Sequence, residues 1–281
     1  MLKNSMKTEI KKAVFNKKTL VTLVIILALV LYHAVTTIIN YHDFLTSYES
    51  GAIAGNPMIT SDSLFASWIG ADVASFSTSA FFFLLPIIAV LPYGWSLVGE
   101  IKSGYIKNVL HRTSRKIYFL SKYVAVFVSG ALIVVIPLIC SILVLALFLP
   151  ALKMESIYPY GTIGQGCMWS GIYYEHPYLY CILYIILDGI FAGLMASLSM
   201  AIAFFVKSKV AVVLMPFFVM LLLDYIDTTF LINGEYSPIK FLQALPVANN
   251  CYGWAVFLIG LILFLITFGI TLCMERKYEV L

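Results

Sequence analysis

The stretch LVTLVIILALVLYHAVTTII, residues 20–39, decides the class of fold. Thirteen of its 20 residues are Leu, Ile or Val. Each of these contributes roughly −0.3 to −0.6 kcal/mol to membrane insertion, which outweighs the cost of His33 and the threonines. No small-residue cleavage motif follows a short apolar core, so the stretch predicts a retained membrane span rather than a secretory signal peptide.

Five further apolar stretches follow, each near or above the ~20 residues that a helix needs to cross a bilayer. The predicted spans are approximately residues 20–39, 76–98, 119–149, 178–206, 210–227 and 253–273. The chain is 62% hydrophobic and 11% charged, whereas soluble domains carry about 25% charged residues. We therefore expect an all-α membrane protein, with residues 1–281 forming a single transmembrane domain. Pro86 and Pro92 predict a bend in the second span.

The basic residues are concentrated in alternate polar segments between the spans. Sixteen of the 18 fall in four of these segments. They are Lys3, Lys7, Lys11, Lys12, Lys17 and Lys18; Lys102, Lys107, Arg112, Arg115, Lys116 and Lys122; Lys207 and Lys209; and Arg276 and Lys277. Because basic residues are retained on the cytoplasmic side, the pattern predicts that both termini are cytosolic. The net charge of +4 follows from this asymmetry and indicates contact with anionic lipid headgroups, not with nucleic acid.

Residues 1–18 predict an amphipathic helix that lies in the membrane interface. Apolar residues recur at helical spacing on one face, and lysines cover the opposite face. The apolar face consists of Leu2, Met6, Ile10, Ala13 and Val14. A frayed basic tail is the alternative interpretation.

Two outer segments contain apolar patches of their own. In residues 40–75 an aromatic-rich stripe predicts a short helix at the outer interface, capped by Ser61 or Ser63 and ended by Gly70. The stripe consists of Leu64, Phe65, Trp68 and Ile69. In residues 228–252 apolar patches flank an Asn233–Gly234 turn, which predicts a re-entrant segment before the last span.

The segment between spans two and three reads EIKSGYIKNVLHRTSRKIYFLSK, residues 100–122. It is the only predicted inner loop with room for a structured element. Apolar residues on one face predict a short helix parallel to the membrane, which Thr113–Ser114 would end while capping the next helix. The apolar face consists of Ile101, Tyr105, Val109 and Leu110. A solvated basic loop is the alternative.

This organisation resembles the type-2 permeases of ATP-binding-cassette (ABC) exporters. The matching features are a Glu at the end of span two, a Gly four residues later, a basic break and a Lys at the start of span three. They are Glu100, Gly104, Arg115, Lys116 and Lys122. The six spans, the amino-terminal helix and the re-entrant segment also match. Tyr105 stands where a Thr is frequent, and Thr113–Ser114 stands where a Pro is common.

The resemblance implies a permease of the bacterial plasma membrane that works in pairs, as a homodimer or a heterodimer. Each copy would dock on a separate ATPase subunit, which would bind the ATP and Mg. The short helix would fit a groove on the ATPase and transmit its closure. The implied coupling residues are Glu100, Gly104, Lys107, Arg112, Arg115 and Lys116.

The chain itself is expected to bind no cofactor and to catalyse no reaction. The sequence contains no phosphate-binding loop, because the glycine-rich stretch at 161–166 lacks the lysine of that motif. The aromatic, weakly acidic outer surface favours an amphipathic cargo, such as a peptide, an antibiotic or a lipid-like molecule.

Three acids are candidates for the substrate path. Asp188 lies near the midplane of span four, where an acid costs roughly 2.5–3.5 kcal/mol. It is interpreted as a substrate contact or a protonatable site, with a structural hydrogen bond as the alternative. Asp224 and Asp227 at the end of span five are the other two candidates. Gly189 and Gly193 form a G-x-x-x-G pattern that permits close helix approach.

Cys167 and Cys251 fall in two outer segments, where a disulfide can form; two separate thiols are the alternative. Neither a hydrolytic motif nor a Cys/His cluster with metal-ligand spacing is present. Three other functions stay open: an ion-coupled secondary transporter that uses Asp188, a membrane enzyme, and a non-transporting immunity or sensor subunit on the permease fold.

Overall fold

A computed structural model describes residues 2–52, 62–155, 161–164, 166–230, 236–245 and 251–277. Within these ranges the protein is all-helical and contains no strand. The helices are α1 (Leu2–Val14), α2 (Lys17–Glu49), α3 (Leu64–Ser67), α4 (Phe76–Val90), α5 (Ser96–Lys102), α6 (Tyr105–Leu110), α7 (Arg115–Leu145), α8 (Ser170–Glu175), α9 (Pro177–Ile202), α10 (Lys209–Phe230), α11 (Pro238–Phe241) and α12 (Gly253–Lys277).

Five of these helices, α2, α7, α9, α10 and α12, are long and apolar enough to cross a membrane. They correspond to five of the six predicted spans and indicate a multi-pass membrane protein. Helix α2 is 33 residues long, or about 50 Å. It continues past the predicted end at residue 39, because its polar final third contains no residue that breaks a helix before Gly51.

The second predicted span, residues 76–98, is not one helix. Helix α4 has 15 residues, about 22 Å, and is followed by turns at 91–95 before α5 begins. Pro86 lies inside α4, whereas Pro92 lies in the turns. A proline lacks the amide proton that an inner helical position must donate. The predicted bend is therefore a break after Val90.

The connecting segments gather at two ends of the bundle. At the end that we call the amino-terminal end, Lys12 of α1 donates to the Tyr105 hydroxyl of α6 at 3.3 Å. At the opposite end, the Ala244 amide donates to the Gly70 carbonyl at 2.7 Å. The predicted inner segments thus meet at one end and the predicted outer segments at the other.

Helices α7 and α9 form the centre of the bundle, where small residues allow close contact. A Cβ on Gly193 would lie 2.7 Å from the Phe127 ring, and one on Gly189 would lie 2.6 Å from a Val135 methyl group. Both distances are too short for a side chain. The close approach predicted from the G-x-x-x-G pattern is therefore present, and it holds α9 against α7.

The predicted short helix at the opposite end exists but is buried. Helix α3 begins after Ser63, whose hydroxyl accepts from the Phe65 amide at 3.4 Å. All four residues of the apolar stripe are buried within the protein, although we expected them at the membrane interface. A second hydrogen bond, from Ser63 to the Leu152 carbonyl at 2.6 Å, ties α3 to the segment after α7. Ser61 lies outside the described residues.

The predicted re-entrant segment is described only at residues 236–245, since 231–235 and 246–250 lie outside the described ranges. Its described part contains α11, and Phe241 packs against Phe191 of α9 with ring centroids 5.0 Å apart. The Tyr180 hydroxyl donates to the Ala244 carbonyl. This segment therefore packs on α9.

Candidate functional site

The Lys122 side chain is completely buried at the amino-terminal end of the bundle, one turn below Tyr118 on α7. Its nitrogen donates to Oε2 of Glu9 at 3.3 Å and to the Tyr93 hydroxyl at 2.9 Å. It also forms an ion pair with Glu100. One lysine therefore joins α1, the turns after α4, and α5.

The hydroxyl groups around Lys122 complete the network. Tyr93 donates to Oε2 of Glu9 at 2.9 Å, and Tyr118 donates to Glu100. The Glu9 and Glu100 side chains are only 8% and 17% exposed. Every charge is thus paired and hydrogen-bonded, as a buried ion pair requires. We call Glu9, Tyr93, Glu100, Tyr118 and Lys122 the inner polar cluster.

The electrostatics of Glu9 favour the ionised cluster. Burial raises the pKa of the Glu9 carboxyl, but the charge of Lys122 and the hydrogen bonds from Lys12 and Tyr93 lower it by more. The pKa of Glu9 therefore lies below its ordinary value, and the carboxylate is charged at neutral pH. Glu9 of α1 therefore presents a negative charge to Lys122 of α7.

The inner polar cluster lies beside the short helix α6, and the predicted coupling residues lie in α6 and in the segments on either side of it. Gly104 precedes α6 with φ at +69°, the left-handed conformation that favours glycine. Ile106 is buried and anchors α6. Ser114 caps α7 by accepting from the Ile117 amide at 3.4 Å, which agrees with the predicted break. Tyr105, expected on the packed face, is instead 41% exposed.

The structure brings together only part of the predicted coupling set. Glu100 belongs to the inner polar cluster, and Gly104 shapes the start of α6. The basic residues of the set have exposed side chains at the same end of the bundle: Lys107, Arg112, Arg115 and Lys116. The set therefore divides into a buried part that joins helices and a positively charged surface.

Asp188 is completely buried in α9, and neither carboxylate oxygen has a hydrogen-bond partner among the described residues. The alternative of a structural hydrogen bond finds no support there. A charged carboxylate without a partner is costly at this depth.

A comparison with known protein families identifies the family of the chain. A family model described as protein of unknown function (DUF2705) matches residues 64–277. The chain belongs to the DUF2705 family. The matched region includes every residue of the inner polar cluster except Glu9. No curated protein matches this DUF2705 chain.

Asp224 and Asp227 of this DUF2705 protein contact the segment after α10. Asp227 is buried and accepts from the Tyr236 and Ser237 amides at 3.0 and 3.1 Å. Lys240 lies 3.4 Å from Asp227 and 3.8 Å from Asp224. These contacts fasten α11 to the end of α10, which is a structural role that the sequence did not reveal. A substrate contact for either acid remains a prediction.

Cys167 and Cys251 are both buried. Both are close enough to Tyr184 to interact electrostatically with its hydroxyl group. Their pairing therefore remains a prediction for oxidising conditions.

An apolar groove of about 620 Å³ runs between α7, α9 and α12 of the DUF2705 protein. Its aromatic wall consists of Tyr123, Phe127, Trp169, Phe191, Phe257 and Phe264. Trp169 has φ at +60°, which is strained for a bulky residue. Such strain often accompanies functional positions. The volume lies within the range of about 300–1,000 Å³ that is typical of small-molecule sites.

Sequence reasoning missed Glu9, Lys12, Tyr93 and Tyr118. Ala13 of the predicted apolar face of α1 is buried, but the other buried residue of α1 is Glu9. The available signal was weak: Glu9 is the one acid among the four lysines of α1 and stands one turn before Ala13. Only the packing of α1 on α7 shows that Glu9 meets Lys122.

Proposed function

We propose that this protein is the membrane-spanning permease subunit of an ABC exporter that works with a separate ATPase. The observation that carries the proposal is the inner polar cluster, in which buried Lys122 joins Glu9 and Glu100 beside the short helix α6. A permease without its own nucleotide site needs such a rigid connection to pass movement from a docked ATPase to its helices.

The contacts of α1 provide a route for this movement. Lys12 donates to the Tyr105 hydroxyl of α6 at 3.3 Å and to Glu9 at 2.8 Å. Glu9 then contacts Lys122 of α7. A displacement of α6 therefore reaches α1 directly and reaches α7 through charged groups that are costly to separate.

The exposed surface of α6 and the following turn is suited to an acidic or polar docking groove. Arg112 and Arg115 are exposed there, and Ile106 holds the helix from beneath. Complementary charge increases the rate and specificity of association. We infer that this surface docks the ATPase and that ATP with Mg binds the ATPase.

The apolar groove supports an amphipathic or lipid-like cargo. It lies within the membrane-spanning helices, and its lining is almost entirely apolar. Helices α2 and α10 also expose large apolar residues, such as Ile25 and Phe218. These surfaces are available to a second permease copy, and we place the export path between two copies.

The direct test is purification of the tagged protein from its native membrane in lipid nanodiscs, followed by measurement of ATP hydrolysis. We expect an ABC ATPase to co-purify and to hydrolyse ATP. Reversing two charges, R112E with R115E, should abolish both. K153E reverses an exposed charge at the opposite end of the bundle and should preserve both. A wild-type preparation without an ATPase and without ATP turnover would contradict the proposal.

A second function, ion-coupled secondary transport, is favoured by one observation: Asp188 is buried without a described partner. A carboxyl group at that depth can carry a proton across a membrane. Proteoliposomes that contain the purified chain alone distinguish the two functions. Transport driven by a proton gradient, and lost in Asp188→Asn, would establish the secondary transporter.

A further inference from the structure

Two ammonium groups from different helices converge on one indole ring at the amino-terminal end. The Lys18 nitrogen lies 3.3 Å from the centre of the Trp95 ring, and the Lys209 nitrogen lies 5.1 Å from it. Both distances are within the ~6 Å limit of a cation–π contact. Lys18 is in the first turn of α2 and Lys209 begins α10, so the ring holds together the starts of two membrane-spanning helices.

The acids at this end of the bundle pair with other lysines. Glu9 and Glu100 both pair with Lys122, and the ion pairs between described residues do not include Lys18 or Lys209. The two ammonium groups are also close enough to repel each other. The protein therefore concentrates positive charge here without a described carboxylate to balance it.

The backbone lies close to the two lysines, but the positive potential comes from their ammonium groups. A Cβ on Gly99 would lie at ordinary contact distance, 3.6 Å from Cε of Lys209 and 3.7 Å from the Trp95 ring, so Gly99 lies directly beside both side chains. The Lys18 and Thr19 amides donate to the Asn16 side chain at 2.8 and 2.9 Å, so the groups that can attract an anion here are the two ammonium groups. Ammonium groups form charge-assisted hydrogen bonds with phosphate.

The apolar surroundings indicate that the phosphate belongs to a lipid. Leu20, two residues after Lys18, is 63% exposed, and Val210, next to Lys209, is 68% exposed. An apolar surface thus begins directly beside the two charges. Trp95 has the amphipathic ring that is favoured at the membrane–water interface. A phospholipid can place its phosphate between the lysines and its acyl chains along the starts of α2 and α10.

We propose that Lys18, Trp95 and Lys209 form a specific binding site for the phosphate of an anionic phospholipid. The site is formed by the junction of α2, α5 and α10, and its occupation stabilises that junction. This inference concerns lipid binding alone and does not depend on the ATPase partnership.

The test uses native mass spectrometry and thermal unfolding of the purified full-length chain, with phosphatidylglycerol or phosphatidylcholine added in mixed micelles. We expect phosphatidylglycerol to bind and to raise the melting temperature more than phosphatidylcholine does. The double variant K18Q/K209Q should bind phosphatidylglycerol at least about tenfold more weakly, because two charge-assisted contacts are lost. K17Q/K207Q makes the same change in charge at neighbouring exposed lysines and should bind nearly as well as the wild type.

Two further measurements separate the site from general electrostatics. Trp95→Leu keeps both charges but removes the ring that gathers them, and it should weaken phosphatidylglycerol binding while the chain still unfolds cooperatively. Inorganic phosphate alone should not reproduce the thermal shift. Equal losses in K18Q/K209Q and K17Q/K207Q, equal effects of the two lipids, or a full shift with inorganic phosphate would each overturn the proposal.

Discussion

The side-chain nitrogen of Lys122 lies 3.3 Å from Oε2 of Glu9, a carboxylate that is 113 residues earlier in the chain. This contact fastens α1 to α7 within the protein. Helix α1 is therefore part of the helical bundle rather than a segment held only by lipid. The proposed transfer of movement from α6 depends on this connection.

Replacing Lys122 by methionine should destabilise the protein strongly. The change leaves Glu9 and Glu100 buried without their main partner, and removal of one member of a buried ion pair typically costs about 3–5 kcal/mol. We expect a large fall in the melting temperature of Lys122→Met in detergent. Lys116→Met, an exposed change six residues earlier on α7, should have little effect.

Neutralising the two acids as well should restore part of the lost stability. The triple variant E9Q/E100Q/K122M removes the unpaired charges, and an uncharged cluster of similar volume is often nearly as stable as the ion pairs. A triple variant that is no more stable than Lys122→Met alone would mean that the charges do not cause the loss.

Lowering the pH should weaken the contribution of Glu9 to the stability of the folded protein. Because the pKa of Glu9 is lowered in the folded protein, its stabilising effect is complete above the ordinary value of 4.5. The effect is lost as the pH falls through the lower pKa of the folded state. The difference in unfolding free energy between wild type and Glu9→Gln should therefore be largest near neutral pH and shrink in acid.

The matched control for this pH dependence is Glu49→Gln, which removes an exposed acid at the end of α2. Its effect on stability should be small throughout the same titration. A Glu9→Gln difference that grows as the pH falls would contradict the assigned direction of the shift.

Gly104→Ala should impair coupling more than folding. A Cβ at this position meets no atom within 4 Å, so its cost is the left-handed backbone conformation alone, about 1–2 kcal/mol. That strain acts at the start of α6. We expect reduced ATP hydrolysis in the co-purified complex with only a small fall in melting temperature. Gly171→Ala also meets no atom within 4 Å and has no positive φ, so it should preserve both.

Asp188→Asn distinguishes the two candidate functions. Asparagine has nearly the same volume and no charge, so the buried site of α9 should tolerate it. The exporter proposal predicts that ATP-dependent export continues in this variant. Export that stops in Asp188→Asn while ATP hydrolysis continues would instead give Asp188 a direct role in moving the cargo or a proton.

The lengths of the apolar stretches in the sequence predicted most of the architecture, because a stretch such as residues 20–39 has few alternatives to a membrane helix. The short helix after Gly104 and the Ser114 cap were also predictable, since turn and cap chemistry is local. The break after Val90 was predicted only as a bend. A proline near the end of an apolar run is compatible with either a kink or a break, and tertiary packing selects between them.

The inner polar cluster was less predictable because its members are distant in sequence. Glu100 and Lys122 were singled out by resemblance, but Glu9 was assigned no role in a helix that otherwise looked amphipathic. Glu9 is buried because the buried base Lys122 pairs with it, and that base is on another helix. The contacts of Asp227 with the Tyr236 and Ser237 amides were not predictable, because backbone amides leave no pattern in the sequence.

The most direct test of the central claim is the side of the membrane on which α6 lies. A cysteine at position 107, in a variant without the five native cysteines, is treated in intact cells with a membrane-impermeant thiol reagent, and a cysteine at position 153 is the control. We predict that Lys107→Cys is labelled only after the cells are permeabilised, whereas Lys153→Cys is labelled in intact cells. Labelling of Lys107→Cys in intact cells would place α6 outside, beyond the reach of any ATPase, and would contradict the account.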